Sequence, residues 1–210
     1  MVIKSSNIFE NLQVSRETID DLSLFKEILI KNNSKFNLIS KNDEKIIDIR
    51  HIYDSAQIVD MFDKNTESCA DLGTGAGFPG IILAILTKHK DLDIRFMLYE
   101  KSIKKTNFLN EIINKFSLNA SVVNKNIIDL ENLKANTITA RAFKPIDQIF
   151  NIIKKNFIKY ENLILFLGKN GKQALRDTSK VWDFEYKERR SLTNNDSLIV
   201  NVKNIKKKIE

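Results

Sequence analysis

The chain is short of the residue types that characterise several classes of protein. Its 210 residues include one cysteine, Cys69, and two histidines, His51 and His89. A single cysteine excludes an internal disulfide framework and is typical of the reducing cytoplasm, where we expect the protein to act. Because a structural zinc site uses about four cysteine and histidine ligands, we predict that the chain holds no metal.

Long apolar runs are also missing from the sequence. No stretch of about 18 apolar residues occurs, and residues 1–13 lack the apolar core of a secretory signal, so no membrane span is predicted. A content of 42% hydrophobic and 29% charged residues is typical of a soluble globular protein. We expect a monomer with a single domain, made of an N-terminal helical extension (residues 1–66) and an α/β core (residues 67–210).

The net charge of +7 is unevenly distributed along the chain. Residues 1–150 hold 20 Lys+Arg and 20 Asp+Glu, whereas residues 151–210 hold 14 and 7. A basic region favours a polyanionic partner such as RNA. The same excess is also produced by an AT-rich genome, which encodes many lysines, so the charge alone leaves both interpretations open.

The order of helices and strands is predicted from the spacing of apolar residues. Helices over 15–33, with Ser15 as N-cap, and over 44–62 flank a predicted loop over 35–43. From Ser68 onward, short strands alternate with helices, which predicts βαβ units and a mainly parallel sheet. The predicted strands are 68–72, 94–99, 120–124, 136–140, 162–167, 181–187 and 197–203, and the predicted helices are 79–88, 101–117, 145–157 and 169–178.

The last two predicted strands have no helix between them. A turn-rich connector from Arg190 to Asp196 makes them an antiparallel hairpin, and the lysine-rich tail after Lys203 is predicted to be solvated. The expected fold is therefore a Rossmann-like α/β fold with a mainly parallel seven-stranded sheet, N-terminal helices and a C-terminal antiparallel hairpin.

The glycine-rich segment from Cys69 to Ile85 carries the strongest functional signal. An apolar stretch runs into Asp71, then into the alternate glycines Gly73, Gly75 and Gly77, and then into a helix-like pattern. Such glycines let a ligand lie against the main chain, and the amides of the helix N-terminus complete a polar cradle. The spacing GxGxGxPG differs from the dinucleotide fingerprint, whose third glycine leaves room for a pyrophosphate, and so favours S-adenosyl-L-methionine over NAD.

Two further segments should meet this loop at the carboxyl ends of the strands. Glu100 ends the second strand, where a carboxylate can accept both hydroxyls of a ribose; a solvated charge at the strand end is the alternative. Residues Asn126–Asp129 follow the third strand, where apolar side chains can sandwich an adenine and backbone groups can read its edge. Both segments predict a cofactor that contains a nucleoside.

The segment Asp71–Ile81 resembles the signature of the glucose-inhibited division protein B family. Phe36–Ser40 and Arg50–Ser55 are similar to its NLT…RHxxDS pattern, Lys105–Leu109 to its KRxxFL helix and Thr139–Phe143 to its SRAF motif. The likeness covers roughly residues 20–170. It implies a class I S-adenosylmethionine-dependent methyltransferase that makes N7-methylguanosine in bacterial 16S ribosomal RNA, with the RNA or the small ribosomal subunit as its partner.

The resemblance also implies which residues contact the cofactor. Ile127-Ile128 replaces the common Ala-Glu of the family, which removes a contact through the glutamate side chain but not one through backbone amides. Ala140 replaces the serine of SRAF, and Lys144-Pro145 replaces a small apolar stretch, which can alter substrate contacts. The cofactor-binding residues implied by the family are Gly73, Phe78, Ile127, Ile128 and Arg141, and those expected from the glycine loop and strand end are Gly75, Gly77 and Glu100.

Methyl transfer to guanine N7 requires positioning rather than a base, because N7 has a free lone pair at neutral pH. No nucleophile–base triad is predicted. Asp54 is expected either to face the base or to form a helix cap or salt bridge, and Arg141 to bind the cofactor carboxylate, an RNA phosphate or a structural carboxylate. Arg50 and His51 are expected to face the substrate on the strength of the resemblance, whereas spacing alone predicts a buried histidine at position 51.

Two questions stay open at this point. Lys101, Lys104 and Lys105 form either an RNA-facing patch or a solvated helix face. The alternative functions are a methyltransferase that acts on a small molecule or a protein, and a non-catalytic RNA-binding assembly factor with the same fold; an NAD-dependent oxidoreductase is disfavoured by the glycine spacing.

Overall fold

Nine strands are found in the computed structural model, which describes residues 14–90 and 92–209. The strands are β1 (Ser68–Leu72), β2 (Arg95–Tyr99), β3 (Ala120–Val123), β4 (Leu133–Lys134), β5 (Thr137–Arg141), β6 (Phe157–Lys159), β7 (Asn162–Leu167), β8 (Trp182–Arg190) and β9 (Leu198–Lys207). Seven of them form one sheet in the order β3-β2-β1-β5-β7-β9-β8, in which β3, β2, β1, β5 and β7 are parallel and β9 is antiparallel to both neighbours.

The predicted fold class is confirmed, including the C-terminal antiparallel hairpin. The predicted bounds of β1 and β7 match the structure. The prediction of a solvated tail after Lys203 is wrong, because β9 continues to Lys207 and buries Ile205 against the core. A positive φ at Asn204 and a register shift in the β8–β9 pair interrupt the strand alternation here, so that Ile205 turns inward while Lys203 and Lys206 stay exposed. The short parallel pair β4–β6 was not predicted.

Seven α-helices accompany the strands, and four of them follow β1, β2, β5 and β7. They cover the sheet on two faces, because neighbouring residues of a strand point to opposite sides. The helices are α1 (Arg16–Phe36), α2 (Lys41–Glu44), α3 (Asp54–Ala56), α4 (Gly80–Lys88), α5 (Ile103–Phe116), α6 (Ile146–Asn156) and α7 (Gly171–Thr178). Cys69 belongs to a core cluster with residues of α1, α4 and α5, and Ala70 to a cluster with residues of α6 and α7.

The N-terminal segment differs from its prediction. Ser15 caps α1 as expected, with its side chain accepting from the Thr18 amide. However, α1 extends into the predicted loop as far as Phe36, and α2 begins within it at Lys41, so that residues 37–40 are the part of the loop outside the helices. Asn33, which is 4% exposed, holds this corner together by accepting from the Ile39 amide and donating to Glu44. The buried side-chain amide of Asn33 therefore fixes, through its tertiary contacts, where α1 ends.

The predicted single helix over 44–62 is also wrong. The segment is divided into a π-helix (Asp48–Tyr53), α3 and a 3₁₀ turn (Val59–Met61). In an α-helix the Arg50 carbonyl would accept from the Asp54 amide. Here the Arg141 guanidinium donates to that carbonyl, and the Asp54 amide bonds to Ile49 and His51 instead. A side chain 91 residues away thus competes for the helical hydrogen bond.

Candidate functional site

A cavity of 570 Å³ lies at the carboxyl ends of β1, β2 and β5, where ligands bind in parallel α/β folds. We call it the glycine-loop cavity. The N-terminal segment covers one side of it through Leu38, Ile39 and Asp43. Eight of the eleven predicted site residues line it: Gly73, Gly75, Phe78, Glu100, Ile127, Arg141, Arg50 and His51. Gly77, Ile128 and Asp54 do not.

The first two glycines of the loop both line the cavity, but they differ in what covers them. Both have a positive φ, +67° at Gly73 and +61° at Gly75, which a side chain would strain. A Cβ at Gly75 would meet only the Gly73 carbonyl oxygen, at 3.9 Å, so open space lies above it. A Cβ at Gly73 would lie 2.3 Å from the ring of Phe143, which packs directly on this glycine. The loop therefore presents bare main chain to the cavity at Gly75.

Gly77 has a different environment from the one predicted. A Cβ at Gly77 would lie 2.6 Å from the side chain of Ile81 and 3.3 Å from Leu109, so this glycine faces the core. At Gly80 a Cβ would meet Leu98 at 2.3 Å and Asp71 at 2.7 Å. These two glycines let α4 pack closely on the sheet. The glycine-rich segment thus contains glycines that face the cavity and glycines that allow close packing, and their spacing in the sequence does not tell them apart.

Asp71 holds the glycine loop to the sheet, a role that the prediction missed. Its fully buried carboxylate accepts from the Gly80 amide at 2.9 Å and from the Thr139 hydroxyl at 2.9 Å. Burial raises the pKa of Asp71 to about 6, although these bonds favour its ionised form. The available signal was the acidic residue before the glycines, which fits a cap for the amide at the start of the following helix.

Glu100 ends β2 beside the loop, as predicted, and is 9% exposed rather than solvated. One carboxylate oxygen accepts from the Gly75 amide at 3.1 Å, and the other accepts from the Ser102 amide at 2.8 Å. A carboxylate oxygen accepts more than one hydrogen bond, so both retain capacity toward the cavity. The contact fixes the glycine loop relative to β2.

The segment after β3 forms a 3₁₀ turn at Ile127–Asp129. Ile127 is 3% exposed and lines the cavity, whereas Ile128 is 43% exposed and points away, so a side-chain contact at Ile128 is not supported. Within the described residues the amides of 127 and 128 donate to no backbone carbonyl. Asn156 of α6 fixes this turn by donating to the carbonyls of Ile127 and Leu130.

Arg141 joins the end of β5 to the N-terminal segment. Its Nε lies 3.0 Å from the Asp54 carboxylate, one Nη donates to the Arg50 carbonyl, and the other lies 3.0 Å from His51 Nδ1. Burial lowers the pKa of Arg141, and the Asp54 carboxylate opposes that shift. Of the three roles predicted for Arg141, the structure shows the ion pair with a structural carboxylate.

His51 is held between Arg141 and Phe78. Its ring stacks on Phe78 at a centroid distance of 4.7 Å and an angle of 23°. Because arginine only donates, Nδ1 must accept, and the proton of the neutral ring is on Nε2. Burial and the Arg141 charge lower the pKa of His51 to about 4, so it is neutral at physiological pH. The histidine that spacing predicts to be buried keeps 12% of its side chain exposed and forms part of the cavity wall.

Asp54 lies behind this wall and not in the glycine-loop cavity. Besides Arg141, its carboxylate accepts from Gln57, Ser191 and Thr193 at 2.7–3.0 Å. Ser191 and Thr193 belong to the connector between β8 and β9, 137 and 139 residues further along the chain. Of the two predictions for Asp54, the salt bridge is the one that the structure shows.

Lysines surround the mouth of the glycine-loop cavity. Lys101, Lys105, Lys125 and Lys144 line it, whereas Lys104 is exposed outside it. No carboxylate of the described residues forms an ion pair with any of these five. Several cations of the basic C-terminal region instead face acidic partners, as in Lys172–Glu188 and Arg189–Asp60. The positive rim thus comes from residues 1–150, the part of the chain in which positive and negative charges balance.

Two further properties concern the described part of the chain. None of its helices combines the length and apolar character needed to cross a membrane. Its histidine, cysteine and acidic side chains form no group of three placed to hold a metal ion.

Comparisons with known proteins identify the family. The family model for GidB, described as rRNA small subunit methyltransferase G, matches residues 18–199. Ribosomal RNA small subunit methyltransferase G of Pelagibacter ubique is 42% identical over 209 residues, covering 99% of this chain and 98% of that protein. The protein of that name from Rickettsia felis is 33% identical over 196 residues, covering 93% and 98%.

Solved structures show the same fold at low sequence identity. Magnesium protoporphyrin IX methyltransferase from Synechocystis gives a TM-score of 0.58 at 15% identity, covering 85% of this chain and 96% of that chain. A SAM-dependent methyltransferase from Aquifex aeolicus gives 0.52 at 15% identity, covering 71% and 88%. Sequence and fold agree, and the chain belongs to the GidB family of methyltransferases.

Proposed function

We propose that this protein transfers a methyl group from S-adenosyl-L-methionine to N7 of a guanine in 16S ribosomal RNA. Family membership supports the reaction and the type of substrate. The observation that carries the proposal is the glycine-loop cavity, which combines bare main chain at Gly75, a carboxylate at Glu100 and free amides after β3. These are complementary to a nucleoside that carries no phosphate.

The residues present fit S-adenosylmethionine. Gly73 and Gly75 would lie against its main body, Glu100 would accept from the ribose hydroxyls, and Ile127 would pack on the adenine. The amides of residues 127 and 128 would read the adenine edge, so the loss of the family glutamate at Ile128 leaves recognition intact. Phe78 and His51 form the opposite wall. A volume of 570 Å³ is within the usual range for a small-molecule site.

When bound, S-adenosylmethionine would supply an electrophilic methyl group and keep the electron pair of the broken bond on sulfur, so that transfer to the N7 lone pair would need no proton movement. The chain therefore has to orient and desolvate the reactants, which can supply about 7–11 kcal/mol of the barrier in favourable cases. The unprotonated Nδ1 of His51 is already engaged by the Arg141 guanidinium and Asp71 is inside the core, so neither is a base for this reaction. Arg141 and Glu100 fix the two sides of the cavity before any ligand binds.

The RNA partner is supported by the lysine rim. Lys101, Lys105, Lys125 and Lys144 can contact phosphates, since their ammonium groups carry no ion pair within the described residues. Because N7 is hidden in the deep groove of A-form RNA, we propose that the target guanine lies in a loop or is turned out of its stack. We further propose a cytoplasmic monomer, made of one domain, that acts without contact with a membrane.

The decisive experiment measures transfer of labelled methyl from S-adenosylmethionine to small ribosomal subunits from a strain that lacks this protein. Nucleoside analysis is expected to show new N7-methylguanosine. Cofactor binding without incorporation would refute the proposed substrate and favour a small molecule or a protein, and tight subunit binding without turnover would favour a non-catalytic assembly factor.

A further inference from the structure

The carboxylate of Asp54 is bonded on both oxygens, and each oxygen faces different partners. Oδ2 lies 3.0 Å from Nε of Arg141. Oδ1 accepts from the Gln57 side chain at 2.8 Å, from the Thr193 hydroxyl at 2.7 Å and from the Ser191 hydroxyl at 3.0 Å. Because donors hold both oxygens, the carboxylate cannot rotate without losing bonds on one of them. We call the three residues that donate to Oδ1 the Asp54 donors.

The orientation of Gln57 is fixed by the main chain. This side chain is 6% exposed, and its Oε1 accepts from the Leu192 amide at 2.8 Å. Since a main-chain amide only donates, the oxygen end of the Gln57 side chain must face Leu192 and Nε2 must face Asp54. Ser191 and Thr193 flank Leu192 in the connector between β8 and β9. The connector therefore orients Asp54 through two hydroxyls and through the amide that aligns Gln57.

Arg141 extends this arrangement from Asp54 to His51. The guanidinium is planar, so a carboxylate that fixes Nε also fixes the direction of both Nη groups. One Nη lies 3.0 Å from Nδ1 of His51 and keeps that nitrogen unprotonated. The other ring nitrogen, Nε2, has no hydrogen-bond partner within the described residues, and the Asp43 carboxylate is 3.8 Å from it. The contact with Arg141 is therefore the hydrogen bond that selects the tautomer of His51.

Three charged groups face the His51 ring from three elements. Burial has the largest effect and lowers the pKa of His51, Arg141 of β5 and Arg50 of the π-helix lower it further, and Asp43 of α2 raises it. Phe78 covers one face of the ring and adds no charge. A proton added to Nδ1 would bring an imidazolium against a guanidinium. The uncharged state of the ring thus depends on where the Arg141 guanidinium is held.

We propose that three positioning residues keep His51 uncharged in the wall of the glycine-loop cavity by fixing Asp54 and Arg141, namely the Asp54 donors Gln57, Ser191 and Thr193. The consequence for binding rests on the proposed function. S-adenosylmethionine carries a positive sulfur, whereas the product S-adenosylhomocysteine does not. An imidazolium in the wall of so small a cavity would repel the first compound and not the second. The Asp54 donors therefore help the site to prefer the cofactor over its product.

NMR of the protein without ligand tests the positioning step. The chain has two histidines, so isotope-labelled histidine gives two imidazoles to follow. In the wild-type protein we expect His51 to carry its proton on Nε2 and to titrate near its pKa of about 4. Thr193→Val removes one donor at nearly constant volume. In this variant the pKa of His51 is expected to rise by at least about 1, with both tautomers populated.

Two variants control for a general structural effect. Thr193→Ser keeps the hydroxyl and should restore the wild-type titration of His51. Ser197→Ala removes a connector hydroxyl that forms no side-chain hydrogen bond within the described residues, and should leave it unchanged. The second imidazole, His89, lies at the end of α4 and should titrate alike in every variant. An unchanged titration of His51 in Thr193→Val, or equal shifts of both histidines, would overturn the proposal.

Calorimetry with S-adenosylmethionine and S-adenosylhomocysteine tests the consequence for binding. In the double variant Gln57→Leu/Thr193→Val we expect a His51 pKa near 6, which leaves about one tenth of the rings neutral at pH 5. Relative to wild type at that pH, the Kd for S-adenosylmethionine should then rise about tenfold more than the Kd for S-adenosylhomocysteine. Asp71 titrates in both proteins, so its contribution cancels.

The two measurements fail in different ways. Equal changes in Kd for both compounds, with the NMR shift present, would overturn the preference for the cofactor. If the double variant does not fold, the same comparison is made with Thr193→Val, for which about a twofold difference is expected at pH 5. A wild-type protein that binds neither compound would instead refute the proposed function, and the NMR titration would still decide whether the Asp54 donors position His51.

Discussion

The two sides of the glycine-loop cavity are held in place by contacts of very different range. On the side of β1 and β2, Asp71 reaches Gly80 nine residues away and Glu100 reaches Gly75 twenty-five residues away. On the other side, Arg141 reaches Arg50 across 91 residues, and Asp54 reaches Thr193 across 139. Apart from the bond from Thr139 of β5 to Asp71, the first side is held within one unit of strand, loop and helix and the strand beside it, whereas the second is assembled only when the whole chain folds.

Because of this difference, substitutions on the two sides should affect ligand binding and folding stability to different degrees. The local side exposes main chain to the cavity with few side chains involved, so a change there should affect ligand binding more than folding. The assembled side consists of buried, mutually dependent charges, so a change there should affect folding as well. Each of the following substitutions is chosen to break or sharpen this contrast.

The largest effect is expected at Gly75. Gly75→Asp puts a carboxylate into the open space above the loop and beside Glu100, which bonds to the same amide. We expect loss of measurable S-adenosylmethionine binding by calorimetry, with thermal unfolding within a few degrees of wild type because no core atom lies near this position. Retained cofactor affinity would show that the ligand does not lie against Gly75.

The counterpart on the assembled side is Asp54. Asp54→Ala leaves the buried guanidinium of Arg141 without its carboxylate, and breaking a buried pair costs about 3 kcal/mol. Urea unfolding followed through the single tryptophan, the buried Trp182, measures this loss. Asp54→Asn keeps the shape and part of the hydrogen bonding and should lose less. Equal stability of all three proteins would show that this side is not held by the ion pair.

The local side could be predicted from the sequence better than the assembled side, because its contacts join residues that are close together in the chain. The bounds of β1, the cap at Ser15 and the helix after the glycines depend on neighbouring residues, and periodicity reports those. The π-helix depends on a guanidinium from β5, which no local pattern contains. The glycine spacing also could not separate Gly75, which faces the cavity, from Gly77, which faces Ile81 and Leu109.

A pH experiment examines the assembled side without removing a charge. The pKa of His51 is about 4 in the folded protein and about 6.5 in an unfolded chain, so between these values the unfolded state binds more protons and stability falls as the pH falls. The pKa of Asp71, raised from 3.8 to about 6, acts in the opposite sense and partly hides this loss. His51→Gln removes only the histidine contribution.

The stability of His51→Gln relative to wild type is therefore expected to rise by about 3 kcal/mol between pH 7 and pH 4. Urea unfolding of both proteins at each pH gives this difference directly, and the Asp71 contribution cancels because both proteins contain it. A difference that does not change with pH would mean that His51 is accessible to protons in the folded state, contrary to its packing between Arg141 and Phe78.

The smallest effect concerns the turn after β3, which combines features of both sides. Ile127 is local to the cavity, but its position depends on Asn156, which is fully buried and donates to the carbonyls of Ile127 and Leu130. Asn156→Asp keeps the shape, and because burial raises the pKa of a carboxyl, the new side chain is protonated at neutral pH. It therefore keeps one donor and replaces the other by an acceptor that faces a carbonyl. We expect an approximately tenfold weaker Kd for S-adenosylmethionine, about 1.4 kcal/mol, with kcat at saturating cofactor unchanged.

Asn151→Asp is the matched control, because Asn151 lies on the exposed face of the same helix and bonds only to the Asp147 carbonyl. S-inosylhomocysteine, whose base differs from adenine at the edge that the amides of residues 127 and 128 would read, adds a second comparison. Wild type should prefer S-adenosylhomocysteine, and Asn156→Asp should lose much of that preference, since a displaced turn no longer distinguishes the two edges. A uniform loss of affinity for both compounds would show that Asn156 stabilises α6 in general. The bonds from Asn156 to the turn after β3 would then have no separate role in recognising the base.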